Sequence, residues 1–491
     1  MRTRALGLLT ILSILTASPA AAATCTTTPW PGLAGVPPLT DFPTGYLYLG
    51  IHPGFLYDGS NQAPPDHDAA GRLLAAEVQP RDTAGNVCQT IGPDCKIVFL
   101  SIGFSNNTIE FCGGAGIGGD PEAPAATQCP LPTAHPPYLQ LESFIHQALV
   151  DPEVNHATVV PVDGAMGGAT LDDWDPTVSG LTQYNRVLTQ ILTPSGLSAS
   201  QVQAIWIKDA NASPTVSLAT GGPGNPPDAI IAERHLGNIA RALPGIYPNV
   251  KQVFISPRIY GGYANTATPP NQLNPEPYAY EIGFSIKWLV DSQIRQIRGG
   301  APDANAGDLD YRNRTAPWIA WGPYLWANGT TPRSDGLVWE NRDLRYPYSS
   351  GSNVNECTHP SVYGEQKVAG MLLGFMKTTP YTTWFLGPAG GCDIARDSLE
   401  IAADGQTITW LSNAPAGPFD VARGDLRNVR NSGGSFATAA CLRNNIATAS
   451  TTDASTPPPS VVAYYLARCS GGTWNDGSQR GDRDATLAAC P

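Results

Sequence analysis

Ile97 to Ile102 reads IVFLSI, an apolar and β-branched run with no helical spacing. That pattern suits a strand buried on both faces of a parallel sheet. It runs into Gly103-Phe104-Ser105-Asn106, and a helix is expected to start near Asn107. Four strand–helix units follow. Ala157 to Val162 is a strand entering the glycine-rich turn DGAMGGAT, with a helix around Ser179 to Leu192. Val202 to Lys208 enters DANASP, and a helix runs from about Asp228 to Leu243. Gln252 to Ser256 enters PRIYGGY before a long amphipathic helix from Pro277 to Arg298. Trp318 to Trp321 starts a last strand, and the helix Val362 to Phe375 follows the segment NECTHPS. Strands alternating with helices imply a parallel sheet covered on both faces, a three-layer α/β/α sandwich.

After Cys392 the pattern changes to short stretches of period-two alternation, DGQTITW, PFDVARGD and SVVAYYLARCSGG, separated by Gly, Asn and Asp turns. These predict a small all-β sandwich. The boundary falls between Pro380 and Cys392, giving an α/β region over 24–390 and a β region over 391–491, as expected for a chain of 491 residues. Residues 24–94 are rich in Pro, Gly and aromatics and read as an irregular extension with short strands. The Pro-rich excursion from Gly113 to Pro137 reads as a surface loop.

Arg2 and Arg4, the apolar run Ala5 to Thr16 and the small residues ending at Ala23 have the layout of a cleavable secretory signal over 1–23. That apolar run is too short to span a bilayer. A secreted protein without membrane insertion is therefore expected. Ten cysteines in an exported chain favour disulfides over metal binding. Cys88–Cys95 and Cys112–Cys129 are the expected local bridges, and a bridge from Cys357 to Cys392 or beyond would tie the two regions together. The formal net charge of -12 argues against nucleic acid and anionic membranes as partners. Oligomeric state is not readable from the chain.

Two stretches carry candidate chemistry. A glycine followed closely by a hydroxyl residue at the carboxyl end of a buried strand makes a tight turn that exposes Ser105 at a helix N-terminus, where ligands of open α/β sheets bind. In the second, Glu356-Cys357-Thr358-His359-Pro360-Ser361, a carboxylate three residues ahead of a histidine can fold back and fix the imidazole tautomer. Nucleophile, base and orienter are all supplied. Taken singly, Ser105 could be only a helix cap, His359 a structural cap and Asn211 a turn former.

In order, Gly103-Phe104-Ser105-Asn106, the glycine turn ending Gly167-Gly168, the Asn211 turn and Glu-x-x-His-Pro-Ser resemble the blocks of the SGNH (GDSL-like) hydrolases, over about residues 90 to 380. The resemblance implies Ser105 as nucleophile, His359 as base and Glu356 at the acidic position. It also implies an oxyanion hole from the Ser105 amide, the Gly168 amide and the Asn211 side chain, with no metal or organic cofactor. Phe104 replaces the usual aspartate of the first block, Asp209 the usual glycine of the third, and Glu356 the usual aspartate of the last. None of these changes removes a chemical role. The C-terminal stretch loosely resembles a fibronectin type III-like module.

Arg258 and Tyr260 follow a strand end on the same rim as Ser105 and are candidates for substrate binding or for a structural role. Trp321, Tyr324 and Trp326 are either a sugar platform or packing under the β module. His52, His67 and His135 fall in expected loops, His146 and His235 in helices. Sequons at Asn106, Asn211, Asn313 and Asn328 are read as coincidental, since two lie on the proposed site. The expected function is a secreted serine esterase acting on small acyl esters or acylated polysaccharide, with a lipase or a peptidoglycan-directed esterase also open. A reading from another class is a non-catalytic carbohydrate-binding or adhesion protein on the same scaffold.

Overall fold

The computed structural model describes Cys25, Leu33, 35–113, 142–151, 153–264, 274–344, 357–387, 399–402, 404–410, 412, 418–432, 435–455, 457, 461–470 and Cys490. Residues 1–23, where the secretory signal is expected, lie outside this set, as do His135 and Glu356.

A short hairpin, β1 (Leu47–Tyr48) and β2 (His52–Pro53), precedes helix α1 (Pro65–Ala76). The main sheet is built from β3 (Ile97–Gly103), β4 (Val159–Asp163), β5 (Val202–Lys208), β6 (Gln252–Ile255) and β7 (Trp318–Trp321). They lie in the order β4-β3-β5-β6-β7, and every pairing is parallel. Between and after them come α2 (Ser105–Cys112), α3 (Phe144–Val150), α4 (Leu171–Trp174), α5 (Pro176–Ser179), α6 (Thr182–Arg186), α7 (Asp228–Ile246), α8 (Tyr278–Ile297) and α9 (Val362–Thr378).

The period of two in the strands sorts residues onto two separate cores. Val98, Leu100 and Ile102 of β3 join Ile205, Val253 and Ile319 in packing on Leu236 of α7 and Leu289 of α8. Ile97 and Phe99 join Trp206, Phe254 and Trp318 against Phe111 of α2, Phe144 of α3 and Leu372 of α9. A covered sheet of five parallel strands is thus the α/β/α layering expected. Ser101 is the polar exception within β3. Its hydroxyl and that of Thr108 both donate to the buried Asp163 carboxylate, which also accepts from the Ala165 amide at 3.1 Å. Burial raises the Asp163 carboxyl, and the three donors oppose that rise.

The extension before β3 is less irregular than expected. α1 carries Pro65 at its start and Asp66 and Asp68 in its first turn, the composition that suits a helix N-terminus. It lies close to β7, since a Cβ on Gly71 would stand 2.3 Å from the Trp318 ring. His67 is accordingly helical and buried, not in a loop. Its Nε2 meets the Ile319 carbonyl oxygen at 3.0 Å, and burial lowers its pKa to about 4.

After Leu399 the described residues form two antiparallel sheets, β12-β9-β8 and β11-β10-β13. These are β8 (Glu400–Ile401), β9 (Thr407–Thr409), β10 (Phe419–Asp425), β11 (Ala440–Ile446), β12 (Ser450–Thr452) and β13 (Ala463–Cys469), with α10 (Leu426–Asn431) after β10. Ile408, Trp410, Phe419 and Val421 make their shared core.

Cys88 pairs with Cys95 as expected, and Cys441 pairs with Cys490. Cys112 is disulfide-bonded, while Cys129 lies outside the described residues. Cys357 pairs with Cys25, so it does not bridge to Cys392 or beyond.

Gly103 is where the sheet must turn. Its φ is 154°, and a Cβ there would stand 2.2 Å from the Lys208 carbonyl oxygen on the neighbouring strand. Gly103→Ala should therefore lower the unfolding free energy by about 1–3 kcal/mol, as overpacking does, read from urea denaturation. An unchanged midpoint would mean that β5 can move aside at no cost.

Candidate active site

α2 begins at Ser105, with the extended Phe104 as its N-cap. In the strand order β4-β3-β5-β6-β7 the sheet reverses direction of growth between β3 and β5. Ser105 stands at the carboxyl edge beside that switch point, where open α/β sheets bind ligands. His359 comes from the segment ahead of α9, whose N-cap Ser361 accepts from the Tyr363 amide. Its Nε2 lies 2.6 Å from Ser105 Oγ, and both residues are half-buried. A hydroxyl hydrogen-bonded to an imidazole nitrogen is the geometry of a nucleophile and its base.

The residues around His359 are held closely. Cys357 adopts a positive φ of 48° and is buried in its bridge to Cys25. The Thr358 carbonyl accepts from Asn106 Nδ2 at 2.9 Å, and its hydroxyl accepts from Arg258 Nη2 at 2.7 Å. The Ser361 amide donates to the Asp343 carbonyl at 2.9 Å.

Three turns are stitched together at the sheet edge. The Met166 amide donates to the Gly103 carbonyl at 3.0 Å, and the Leu171 amide donates to the Ala210 carbonyl at 3.1 Å. Trp174 Nε1 also donates to Gly103, at 3.3 Å. Gly168 lies in the second of these turns with φ 81° and open space where a Cβ would sit. Asn211 lies in the third. It is buried, and its Nδ2 donates to the Asp228 carbonyl at 2.7 Å.

Behind the turn lies a buried ionic layer. Lys208, the last residue of β5, is paired with Glu110 of α2 at 2.5 Å, both side chains fully buried. Burial pushes the Glu110 carboxyl up and the Lys208 ammonium down to about 8, with their mutual attraction opposing both shifts. Asp209 follows directly. Burial pushes its carboxyl well above the usual range, one oxygen accepts from the Ala210 amide at 2.8 Å, and the other has no partner among the described residues.

Arg258 is 1% exposed and faces the His359 segment, with its guanidinium 5.0 Å from the Phe104 ring centroid. Tyr260 is partly exposed and packs on Tyr263 and Trp326. Burial raises its pKa to about 12. Trp321, Tyr324 and Trp326 are buried in the core against α8 rather than forming an exposed platform. Sequence reasoning missed Asn106, Thr358 and the Lys208–Glu110 pair. A lysine closing the apolar strand VQAIWIK was the one visible signal for the last.

No family model matches the sequence, and no curated protein matches it. Among solved structures, an extracellular lipase from Streptomyces rimosus is 12% identical, with 57% of this chain and 99% of that chain covered and a TM-score of 0.27. A protein from Arabidopsis thaliana is 11% identical over 57% of this chain and 98% of that one, with a TM-score of 0.28. Scores this low decide nothing about activity.

A small cavity beside Asn211 is walled in part by Pro214, Asn274, Tyr278 and Glu281. Glu281 accepts from Tyr48 Oη at 3.0 Å and from the Leu218 amide at 2.8 Å. Burial lifts its pKa from 4.5 to about 7. The folded state therefore favours the neutral acid, a contribution fully present below the unfolded pKa and lost as pH rises through about 7. Glu281→Gln removes the charge while its carbonyl accepts from the Leu218 amide and its Nε2 donates to Tyr48 Oη, reversing that one bond. It should unfold at a higher temperature than wild type at pH 8, by at most about 3 kcal/mol in stability, and match it near pH 4. Equal melting curves at pH 8 would show that the carboxylate is solvated.

Proposed function

We propose that this chain is a serine hydrolase cleaving carboxylic esters, and the observation that carries this reading is the 2.6 Å contact between Ser105 Oγ and His359 Nε2. His359 takes the Ser105 proton as Oγ attacks the ester carbonyl. It then gives that proton to the departing alcohol oxygen, leaving an acyl-serine. Water, deprotonated by the same imidazole, attacks the acyl carbon and releases the acid with Ser105 restored. Glu356 is assigned the role of orienting His359. The oxyanion falls to the Ser105 and Gly168 amides and to Asn211, whose carboxamide carries a second N–H besides the one given to Asp228. Tyr260, partly exposed, is assigned to substrate contact on the same rim, whereas Arg258, 1% exposed, is turned to Thr358.

The substrate we favour is a short acyl ester, including acetyl groups on extracellular polysaccharide. Disulfides among the described residues and a net charge of -12 support an exported enzyme without nucleic acid partners. The 391–491 region is assigned a spacer or adhesive role. The alternative, a non-catalytic binding protein, is favoured by Phe104 in place of the usual acid and makes the opposite forecast in the same assay.

Wild-type protein should label rapidly with a fluorophosphonate and hydrolyse nitrophenyl acetate faster than longer acyl homologues. Ser105→Ala should fold and lose both reactions, and His359→Ala should lose nearly as much. Asn211→Ala should lower kcat about 10²–10³-fold if its amide meets the oxyanion. A wild-type protein that does not label would leave the binding reading standing, and activity in Ser105→Ala would place the nucleophile elsewhere.

A further inference from the structure

The Ser105–His359 contact joins residues 254 positions apart, and its two halves are carried by different elements. α9 packs on α2 and α3 through Leu372, Phe111 and Phe144, which places the helix but not the imidazole ahead of it. Nucleophile and base must be held within about 0.5 Å of their working geometry. Something finer than apolar packing has to set the last fraction of an ångström.

Thr358, the residue before His359, supplies the handle. Asn106 grips its carbonyl at 2.9 Å, and Arg258 grips its hydroxyl at 2.7 Å. Both grips refer back to the nucleophile. Asn106 is the residue after Ser105, and the Arg258 guanidinium lies 5.0 Å from the ring of Phe104, the residue before it. Asn106 and Arg258 are each 1% exposed, and Thr358 is 4% exposed. Water therefore does not compete for these bonds, which are worth more than surface ones. We propose that Asn106 and Arg258 are positioning residues that set the Ser105–His359 separation by clamping Thr358 from two sides. This inference rests on the serine hydrolase reading. It also explains why Phe104 is tolerated where the family resemblance leads one to expect an acid: the aromatic face at that position seats the guanidinium.

A clamp and simple structural glue differ in what they change. Loss of glue lowers stability. Loss of a clamp lowers the rate of attack in protein that is still folded and still binds ester. The full chain is compared as wild type, Thr358→Val, Thr358→Ser, Arg258→Met and the Thr358→Val/Arg258→Met double variant. Unfolding curves, fluorophosphonate acylation rates and kcat and KM on nitrophenyl acetate are read for each.

Thr358→Val keeps shape and removes the hydroxyl. It should lower kcat and the acylation rate about tenfold or more, as small misplacements do, with KM within about twofold of wild type. Thr358→Ser should restore most of the rate. The double variant should be no worse than the poorer single one, because one bond cannot be lost twice. Folded Thr358→Val and Arg258→Met that acylate at the wild-type rate would overturn the clamp while leaving the hydrolase reading intact. So would additive losses in the double variant. A wild-type chain that neither labels nor turns over ester would overturn both. Should Thr358→Val fail to fold, Thr358→Ser and Arg258→Met decide alone: the clamp needs the first to be active and the second, shown folded, to be slow.

Discussion

A strand buried on both faces leaves its chemistry to the point where it leaves the sheet, and β3 imposes that condition on everything around it. All seven of its residues are buried, so reactive groups can appear only beyond Gly103. There the Lys208 carbonyl lies too close for any side chain, and the backbone must turn at once. Ser105 is then the first residue to face outward, and it starts a helix whose other residues, Asn106 to Cys112, are all buried again. The half-buried serine is thus a single break in an otherwise buried β–α unit. The position of the unit is fixed by the hydroxyls of Ser101 and Thr108 on Asp163, which lock strand, helix and neighbouring strand together.

The same edge concentrates charge that a dry interior does not tolerate unpaired. Glu110 and Lys208 are fully buried and face each other at 2.5 Å. Such a pair gains little over an apolar replacement, but losing one partner strands the other, which typically costs about 3–5 kcal/mol. Arg258 is also buried, and burial keeps Asp209 toward its neutral acid.

Local patterns carried far, and nonlocal pairings did not. The strands Val202–Lys208 and Trp318–Trp321 stand where their apolar runs place them, because a strand covered on both faces must be continuously apolar. α1 escaped notice since Pro64, Pro65 and Gly71 interrupt its amphipathic pattern. Its Gly71 exists for contact with Trp318, a residue far away in sequence. Ser105 and His359 could be named from their turns, and the structure brings them within hydrogen-bonding distance. Thr358 could not, since its bonds to Asn106 and Arg258 span 252 and 100 residues and leave no local periodicity to read. Cys25–Cys357 has the same character: ten cysteines allow many pairings, and only the fold selects one.

That disulfide changes how the His359 segment must be understood. With a separation of 332 residues, it ties the beginning of the described chain to the residue two positions ahead of His359. In the chain-entropy view, closing so long a loop is among the larger stabilising constraints a disulfide can place on the unfolded ensemble, on the order of 6 kcal/mol before any native strain. Cys357 also holds a positive φ of 48°, which a residue with a side chain adopts only where its surroundings over-determine it. Tether and clamp act at adjacent residues but resist different motions. The covalent bond keeps the segment from leaving the body of the protein, whereas the two hydrogen bonds to Thr358 govern its register along the edge of the sheet. The Ser105–His359 contact needs both, because a tethered segment free to slide by a fraction of an ångström would keep the fold and lose the alignment.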